Sequence, residues 1–455
     1  MIRFASEHLD KWLKSNNRKP LVIRGARQVG KTWIIRNLAA SHNLKLIELN
    51  LEKNPSFAGL FSDNNPKNIL LNIESELETS INPETSLLFL DEIQAAPELF
   101  AKLRWFKEEL GNLPVIAAGS LLEFTLNEFQ FSMPVGRISY FFLEPFSFFE
   151  FLHATGNKLL LKKLKSFSFD DSIPDSIHEK CLNLYHDYCL VGGMPEPLQT
   201  WIDTGKLEEC IKTQQDLLAT FRDDFHKYGG RFDPKLLYKL SVSVARQLGN
   251  KFVYSRVDSL AKAMMIKKCI SLMSDARVFS KVCHTSGNGL PLGAETNDKF
   301  FKMLFIDIGL VSAQLGLSRM SHDQARDMTL KNKGGLAEQF VGQQIRSSCT
   351  PLSEPFLFYW QRTSGRQGEI DYIVQEGSRI IPIEIKSGTA GSMKSLHLFM
   401  ADKHLDLAVR FNSNLPTIEK IVVKTTQGDP VSYTLMSVPL YLAEKIHELL
   451  GIKCL

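Results

Sequence analysis

Gly25-Ala26-Arg27-Gln28-Val29-Gly30-Lys31-Thr32 lies between the apolar run Leu21-Val22-Ile23 and the helix-like run from Trp33 to Ala40. A GxxxxGKT sequence between a strand and a helix is a phosphate-binding loop. Gly25 and Gly30 let the backbone curl, so that the amides of Ala26, Arg27, Gln28 and Val29 converge on phosphate oxygens. The helix opening at Lys31 aims its positive end at the same anion. Lys31 is placed for the β- and γ-phosphates and Thr32 for Mg²⁺. Arg24 and Arg27 flank the loop and add positive potential.

Working outward, Leu87-Leu88-Phe89-Leu90-Asp91-Glu92 is four apolar residues ending in two carboxylates. Such a strand buries its apolar side chains and delivers Asp91 to the loop, where it holds the Mg²⁺ of a bound ATP. Glu92 is the candidate base for the attacking water. The next run, Pro114 to Ser120, ends in a small polar residue, either a γ-phosphate sensor or a plain strand-end turn. Arg137, in Val135-Gly136-Arg137-Ile138, is a candidate arginine finger, for its own nucleotide or a neighbouring subunit's. Lys31, Glu92 and Arg137 are thus the catalytic candidates. Strands are expected at 21–24, 45–51, 87–91, 115–118 and 139–143, with helices starting near Lys31, Pro66, Pro97 and Leu121. Alternating strands and helices predict a parallel α/β sheet covered on both faces.

The chain has 455 residues, more than one core usually holds, so two or three domains are expected. Its 44% hydrophobic and 23% charged content is that of an ordinary globular protein. The net charge of +4 neither demands nor excludes a nucleic-acid partner. Seven scattered cysteines without a CxxC pair argue for reduced thiols, against a zinc site, and for a cytoplasmic location. No signal-peptide core and no run of about 18 apolar residues is present, so no membrane segment is expected.

Taken together, RGARQVGKT, LLFLDEIQ, AAGS and a Gly-Arg ahead of LEPFSFFEF resemble a prokaryotic branch of the AAA-type P-loop ATPases. That branch lies near the STAND-type ATPases and carries a C-terminal domain of uncharacterised function. The resemblance covers essentially the whole chain. It implies an ATPase domain over 1–154, a helical and winged-helix-like region over 155–330 that includes Gly192-Gly193-Met194-Pro195-Glu196 as a hinge, and a C-terminal domain over 331–455.

In the middle region, the turn-rich stretches 155–157 and 166–176 read as a linker or long loop. Helices are expected at 236–248 and 257–278. Lys267 and Lys268 on the second either meet DNA phosphates or lie on a helix used only for packing. In the last region, Leu336 to Ile345 reads as an amphipathic helix, followed by strands at 356–360, 369–374 and 380–385. Glu384-Ile385-Lys386 places two charges on one strand face. This part resembles the PD-(D/E)xK nuclease core, an α/β restriction-endonuclease-like fold. The resemblance implies a second metal site at Glu338, Asp371 and Glu384, suited to Mg²⁺ or Mn²⁺, with Lys386 beside it. Gln361 and Arg362 are placed for phosphate.

The leading expectation is an ATP-hydrolysing protein that switches or moves its helical and nuclease-like parts, with an oligomer and DNA as candidate partners. The alternatives are an ATP-regulated, metal-dependent DNA nuclease and a STAND-like regulatory scaffold with little turnover.

Overall fold

The computed structural model describes residues 1–119, 134, 136–227, 233–317, 333–362, 368–386 and 393–451. An opening helix, α1 (Ser6–Leu13), precedes β1 (Leu21–Arg24), α2 (Lys31–Ser41), β2 (Lys45–Asn50), α3 (Pro66–Leu77), β3 (Ser86–Asp91), α4 (Leu99–Glu109), β4 (Val115–Gly119) and β5 (Ser139–Phe142). The five strands form a parallel sheet in the order β2-β3-β4-β1-β5. Strand alternation divides its core. Leu21, Ile23, Phe89 and Phe141 pack on α1 and α2, while Val22, Leu88, Leu90 and Ala117 pack on the side of α3 and α4. The helix expected near Leu121 lies outside the described residues.

The middle region is helical: α5 (Phe148–Ala154), α6 (Lys158–Ser166), α7 (Asp175–Val191), α8 (Pro195–Thr204), α9 (Leu207–Lys227), α10 (Pro234–Arg246) and α11 (Ala263–Asp275). The expected linker is interrupted by α6, whose Leu160, Leu161 and Leu164 are buried. The second expected helix starts six residues late. Asp258 bonds the amide of Leu260 at 2.9 Å and Lys239 at 2.6 Å, which holds 257–262 in a turn. A hairpin follows, β6 (Phe279–Thr285) and β7 (Thr296–Phe305), then α12 (Ile308–Gln314).

The last region comprises α13 (Lys333–Ser348), β8 (Leu357–Gln361), β9 (Glu369–Glu376), β10 (Arg379–Ile385), α14 (Lys394–Asp402), β11 (Leu407–Asn412), β12 (Thr417–Lys424), β13 (Pro430–Pro439), a 3₁₀ turn and α15 (Ile446–Leu449). Its sheet does not respect the boundary expected at 330/331. Eight strands run in the order β12-β13-β11-β10-β9-β8-β6-β7, with β6 parallel to β8. The hairpin of the middle region is therefore one end of the C-terminal sheet.

Nor is α13 amphipathic. Leu336 to Ile345 are all buried, because the glutamines of this helix serve backbone groups of its neighbours. Gln339 takes the amide of Phe305 at 2.9 Å and bonds its carbonyl at 2.7 Å. Gln343 takes the amide of Ile308 at 2.9 Å and Gln344 that of Phe148 at 2.7 Å. Phe340 sits edge-on to Phe148, Tyr185 and Tyr188. One helix thus satisfies polar groups from three parts of the chain.

A fragment beginning at residue 331 lacks β6 and β7 and exposes the β8 edge. We expect residues 331–455 alone to aggregate and to become soluble on co-expression with 155–330, as read by size-exclusion chromatography. A soluble, cooperatively folding fragment would contradict the shared sheet.

Candidate nucleotide site and C-terminal charge cluster

The loop from Gly25 to Thr32 leaves the carboxyl end of β1 and enters α2. Gly30 has φ +100°, which a side chain would strain. A Cβ on Gly25 would stand 2.7 Å from the carbonyl of Leu143. Ala26 and Val29 are fully buried beneath the loop, and the carbonyl of Val29 accepts from Arg3 at 3.2 Å. Gln28 holds φ +60° without being glycine, a strained turn of the kind found in ligand clamps. Lys31 Nζ donates to the carbonyls of Gly25 at 3.0 Å and Ala26 at 2.9 Å, and is 8% exposed.

Parallel pairing sets Asp91 at the end of β3, beside Asn50 on β2. Thr32 Oγ1 lies 3.5 and 3.4 Å from the two oxygens of Asp91, and Asn50 Nδ2 donates to Asp91 Oδ2 at 3.2 Å. Burial, then the nearby Glu92 and Glu48, push the Asp91 carboxyl up to about 6. Hydroxyl and carboxylate oxygens suit Mg²⁺, so Thr32 and Asp91 fit the ion that accompanies ATP. Glu92 has φ +53° and accepts from Gln94 at 2.5 Å. Asn50 was not singled out from sequence. Its signal is a polar residue closing the strand Leu46-Ile47-Glu48-Leu49 at the sheet edge where the loop lies.

Two loop-flanking arginines are committed elsewhere. Arg27 is ion-paired with Asp224 of α9, and Arg24 lies over the Tyr140 ring at 3.9 Å. Arg137 stands away from the loop of its own chain. It precedes Ser139, which pairs with Leu21 at the amino end of β1, and four strand residues put the loop roughly 13 Å away. It bonds Glu108 at 2.8 Å on that far edge. Ser120 lies outside the described residues.

The middle region reaches the loop through Pro195, whose Cγ is 3.7 Å from where a Cβ of Gly30 would stand. Behind it, the amide of Gly193 donates to Asp307 at 2.6 Å, and a Cβ on Gly193 would run into the carbonyl of Phe146. Asp307 caps α12 through Leu310 at 3.1 Å and accepts from Gln343 at 3.2 Å.

The second metal site expected from sequence is not assembled. Lys302 of β7 donates to Glu338 at 2.9 Å, lies 2.5 Å from Glu369, and is 3.5 Å from Asp371. It is 2% exposed. Glu384 pairs with Lys386 at 2.5 Å, and Asp371 takes the amide of Ile385 at 2.7 Å. Among the described residues no three His, Cys, Asp or Glu side chains are gathered to hold a metal. The ammonium takes the place of the cation, so the residues present do not fit a resident metal. Burial alone would lower Lys302, but Glu338, Asp371 and Glu369 hold it charged. Burial beside Asp371 pushes Glu338 well above the carboxylate range and Glu384 up to about 7. Lys302 was missed from sequence, although a lysine inside Phe300-Phe301-Lys302-Met303-Leu304-Phe305 is a signal of a buried partner.

Residues 17–152 match the family described as AAA domain. Residues 182–321 match a domain of unknown function (DUF8612), and residues 333–441 another (DUF4143). Residues 17–152 are therefore an AAA-type P-loop ATPase domain by their match. No curated protein matches the chain. Among solved structures, the Aeropyrum pernix ORC2 protein in its ADPNP–ADP complexes is 11% identical, over 69% of this chain and 92% of that one, at TM-score 0.32. C. elegans PCH-2 is 13% identical over 46% and 62%, at 0.26. The Pif1 helicase of Candida albicans is 17% identical over 40% and 47%, at 0.23. Scores this low carry no argument about what this chain does. No helix among the described residues is long and apolar enough to cross a membrane.

Two outcomes follow from the charges. Asp91 is raised in the fold, so its contribution is favourable below its unfolded value and is lost as pH rises through about 6. Asp91→Asn should therefore stabilise the nucleotide-free protein at pH 7.5 by about 1–2 kcal/mol, with no gain below pH ~4. Thermal melts across pH check this. Lys302→Met strands Glu338 and Asp371 without their counter-ion and should cost about 3–5 kcal/mol in denaturant unfolding. An unchanged midpoint would show the cluster to be inert.

Proposed function

We propose that the chain is an ATP-driven switch in which the nucleotide at the P-loop sets the position of α8 and, through Asp307, of α13. The observation that carries this reading is Pro195 packed on Gly30 while Gly193, two residues back, is held by Asp307. In the mechanism, the loop amides and Lys31 bind the triphosphate, for which Lys31 leaves the carbonyls of Gly25 and Ala26. Mg²⁺, held by Thr32 and Asp91, would neutralise phosphate charge. Glu92 orients the water and takes its proton. Arg137, exposed on the opposite sheet edge, is assigned to a neighbouring subunit's nucleotide, which makes the active form an oligomer.

The mixed sheet carrying Asp371 and Glu384, with Glu338 on the helix against it, supports a nuclease-like fold for the C-terminal part. The ammonium of Lys302 among those carboxylates argues against metal-dependent cleavage, so we read this part as an output body and not as a nuclease. The hairpin that follows α10 and α11 supports a winged-helix-like arrangement for 234–305.

Lys31→Ala should lower ATP turnover by ~10²-fold or more. Equal, negligible rates in wild type and variant would reject hydrolysis and leave a binding scaffold. A non-hydrolysable ATP analogue should change amide exchange in 333–348, and Asp307→Asn should abolish that change while turnover persists. Loss of both together would place Asp307 in folding and not in coupling.

A further inference from the structure

The small net charge of the chain hides a strong asymmetry. Between residues 233 and 281 there are ten lysines and arginines against three aspartates and no glutamate. The excess of seven exceeds the +4 of the whole chain, so the remaining residues are net acidic. The basic residues are also sorted by face. On α10, Lys235, Lys239 and Arg246 fall within one arc of the helix with Tyr238, and all four are exposed. The opposite arc, including Leu237, Leu240 and Val244, is core.

On α11 the exposed positions Met264, Lys267, Lys268 and Ser271 recur at i, i+3, i+4 and i+7, while Ile266, Cys269, Ile270 and Met273 are buried. Arg256 and Lys262 are exposed on the stretch between the two helices. Of the three aspartates, Asp233 caps α10, Asp258 is paired with Lys239, and Asp275 closes α11. The outer arc of α11 carries a carboxylate only at its last residue, Asp275, two turns from Lys267 and Lys268. Met264 is 68% exposed and Leu260 94% exposed.

From this charge and shape we propose that α11, flanked by the basic face of α10, is a docking surface for duplex DNA. Lys267 and Lys268 meet the phosphates that border the groove, and Met264 lies against base edges or sugars. An α-helix of about 10–12 Å diameter fits the major groove of B-form DNA, about 12 Å wide. The deep, narrow major groove of A-form RNA excludes it, which selects DNA among phosphodiester polymers. The hairpin of β6 and β7 does not swing free to help, because β6 is hydrogen-bonded to β8. The surface belongs to a body fixed to the C-terminal sheet. It is separate from the nucleotide site and from the Lys302 cluster, so its failure would leave the ATP reading intact.

The test is fluorescence anisotropy of the full chain with a labelled mixed-sequence duplex across a salt series. Binding should weaken steeply with salt. Lys267→Glu with Lys268→Glu should weaken it about tenfold or more and flatten the slope of log Kd against log salt by about 2. ATP turnover should be unchanged, and both positions are exposed, so folding should be preserved. Lys165→Glu with Lys163→Glu, on α6, is the control pair and should leave binding alone. No binding at ~50 mM salt, or an unchanged slope in the first variant, overturns the proposal. So does polyglutamate competing as well as DNA, which would mark an acidic protein as the partner, or duplex RNA binding as tightly as duplex DNA.

Discussion

The carboxylate of Asp307 is fully buried and accepts from Gly193, Leu310 and Gln343. Burial raises its proton affinity despite those bonds. Each donor lies on a different stretch: the turn before α8, the first turn of α12, and the middle of α13. A buried acceptor of this kind tolerates little displacement of any donor, because an unmet partner costs about 1–3 kcal/mol. The glycines around it show the same constraint. A Cβ on Gly192 or Gly309 would collide with Asp307 or with the carbonyl of Val191. The three stretches therefore move as one unit or lose the contact, and the first of them leads directly to the phosphate loop. A second seam runs in parallel, where Glu144 after β5 is paired with Arg346 of α13 at 2.8 Å and Arg3 bonds the loop carbonyl of Val29. The nucleotide domain is thus tied to the rest by several polar contacts, Glu144 with Arg346 and Arg27 with Asp224 among them.

What the sequence makes legible is local. The strand–loop–helix from Leu21 to Ala40 and the carboxylates ending Leu87–Leu90 are read from neighbours a few residues apart, and their strands lie within a residue or so of where the periodicity puts them. The expected strands of the last region are equally close. The misreadings come from contacts far along the chain. Leu336 to Ile345 carries glutamines that look solvent-facing, yet they are spent on backbone groups 30 to 200 residues away. The C-terminal carboxylates were read as a metal set because their counter-ion, Lys302, lies in a segment assigned to another domain. Arg137 was left open between two subunits because only strand register reveals which sheet edge it occupies.

Charge is managed differently in the two candidate sites. Around Asp91 the fold keeps a destabilised carboxylate that a bound cation would relieve, the usual mark of a working ligand site. Around Lys302 the fold supplies a cation from its own chain, and burial still holds Glu338 and Glu384 above the usual carboxylate range. The second arrangement stabilises the join between hairpin and sheet, and it makes that join specific for a single pairing.

The shared sheet also bears on how the chain is made. β7 ends at Phe305 and β8 begins at Leu357, so the hairpin emerges from the ribosome roughly 50 residues, or about 3–10 s, before its neighbour. During that interval β6 has an open edge, and Lys302 has none of Glu338, Glu369 or Asp371 to meet it. The nascent hairpin therefore waits with an unpaired strand and an unmatched ammonium until the C-terminal segment follows it.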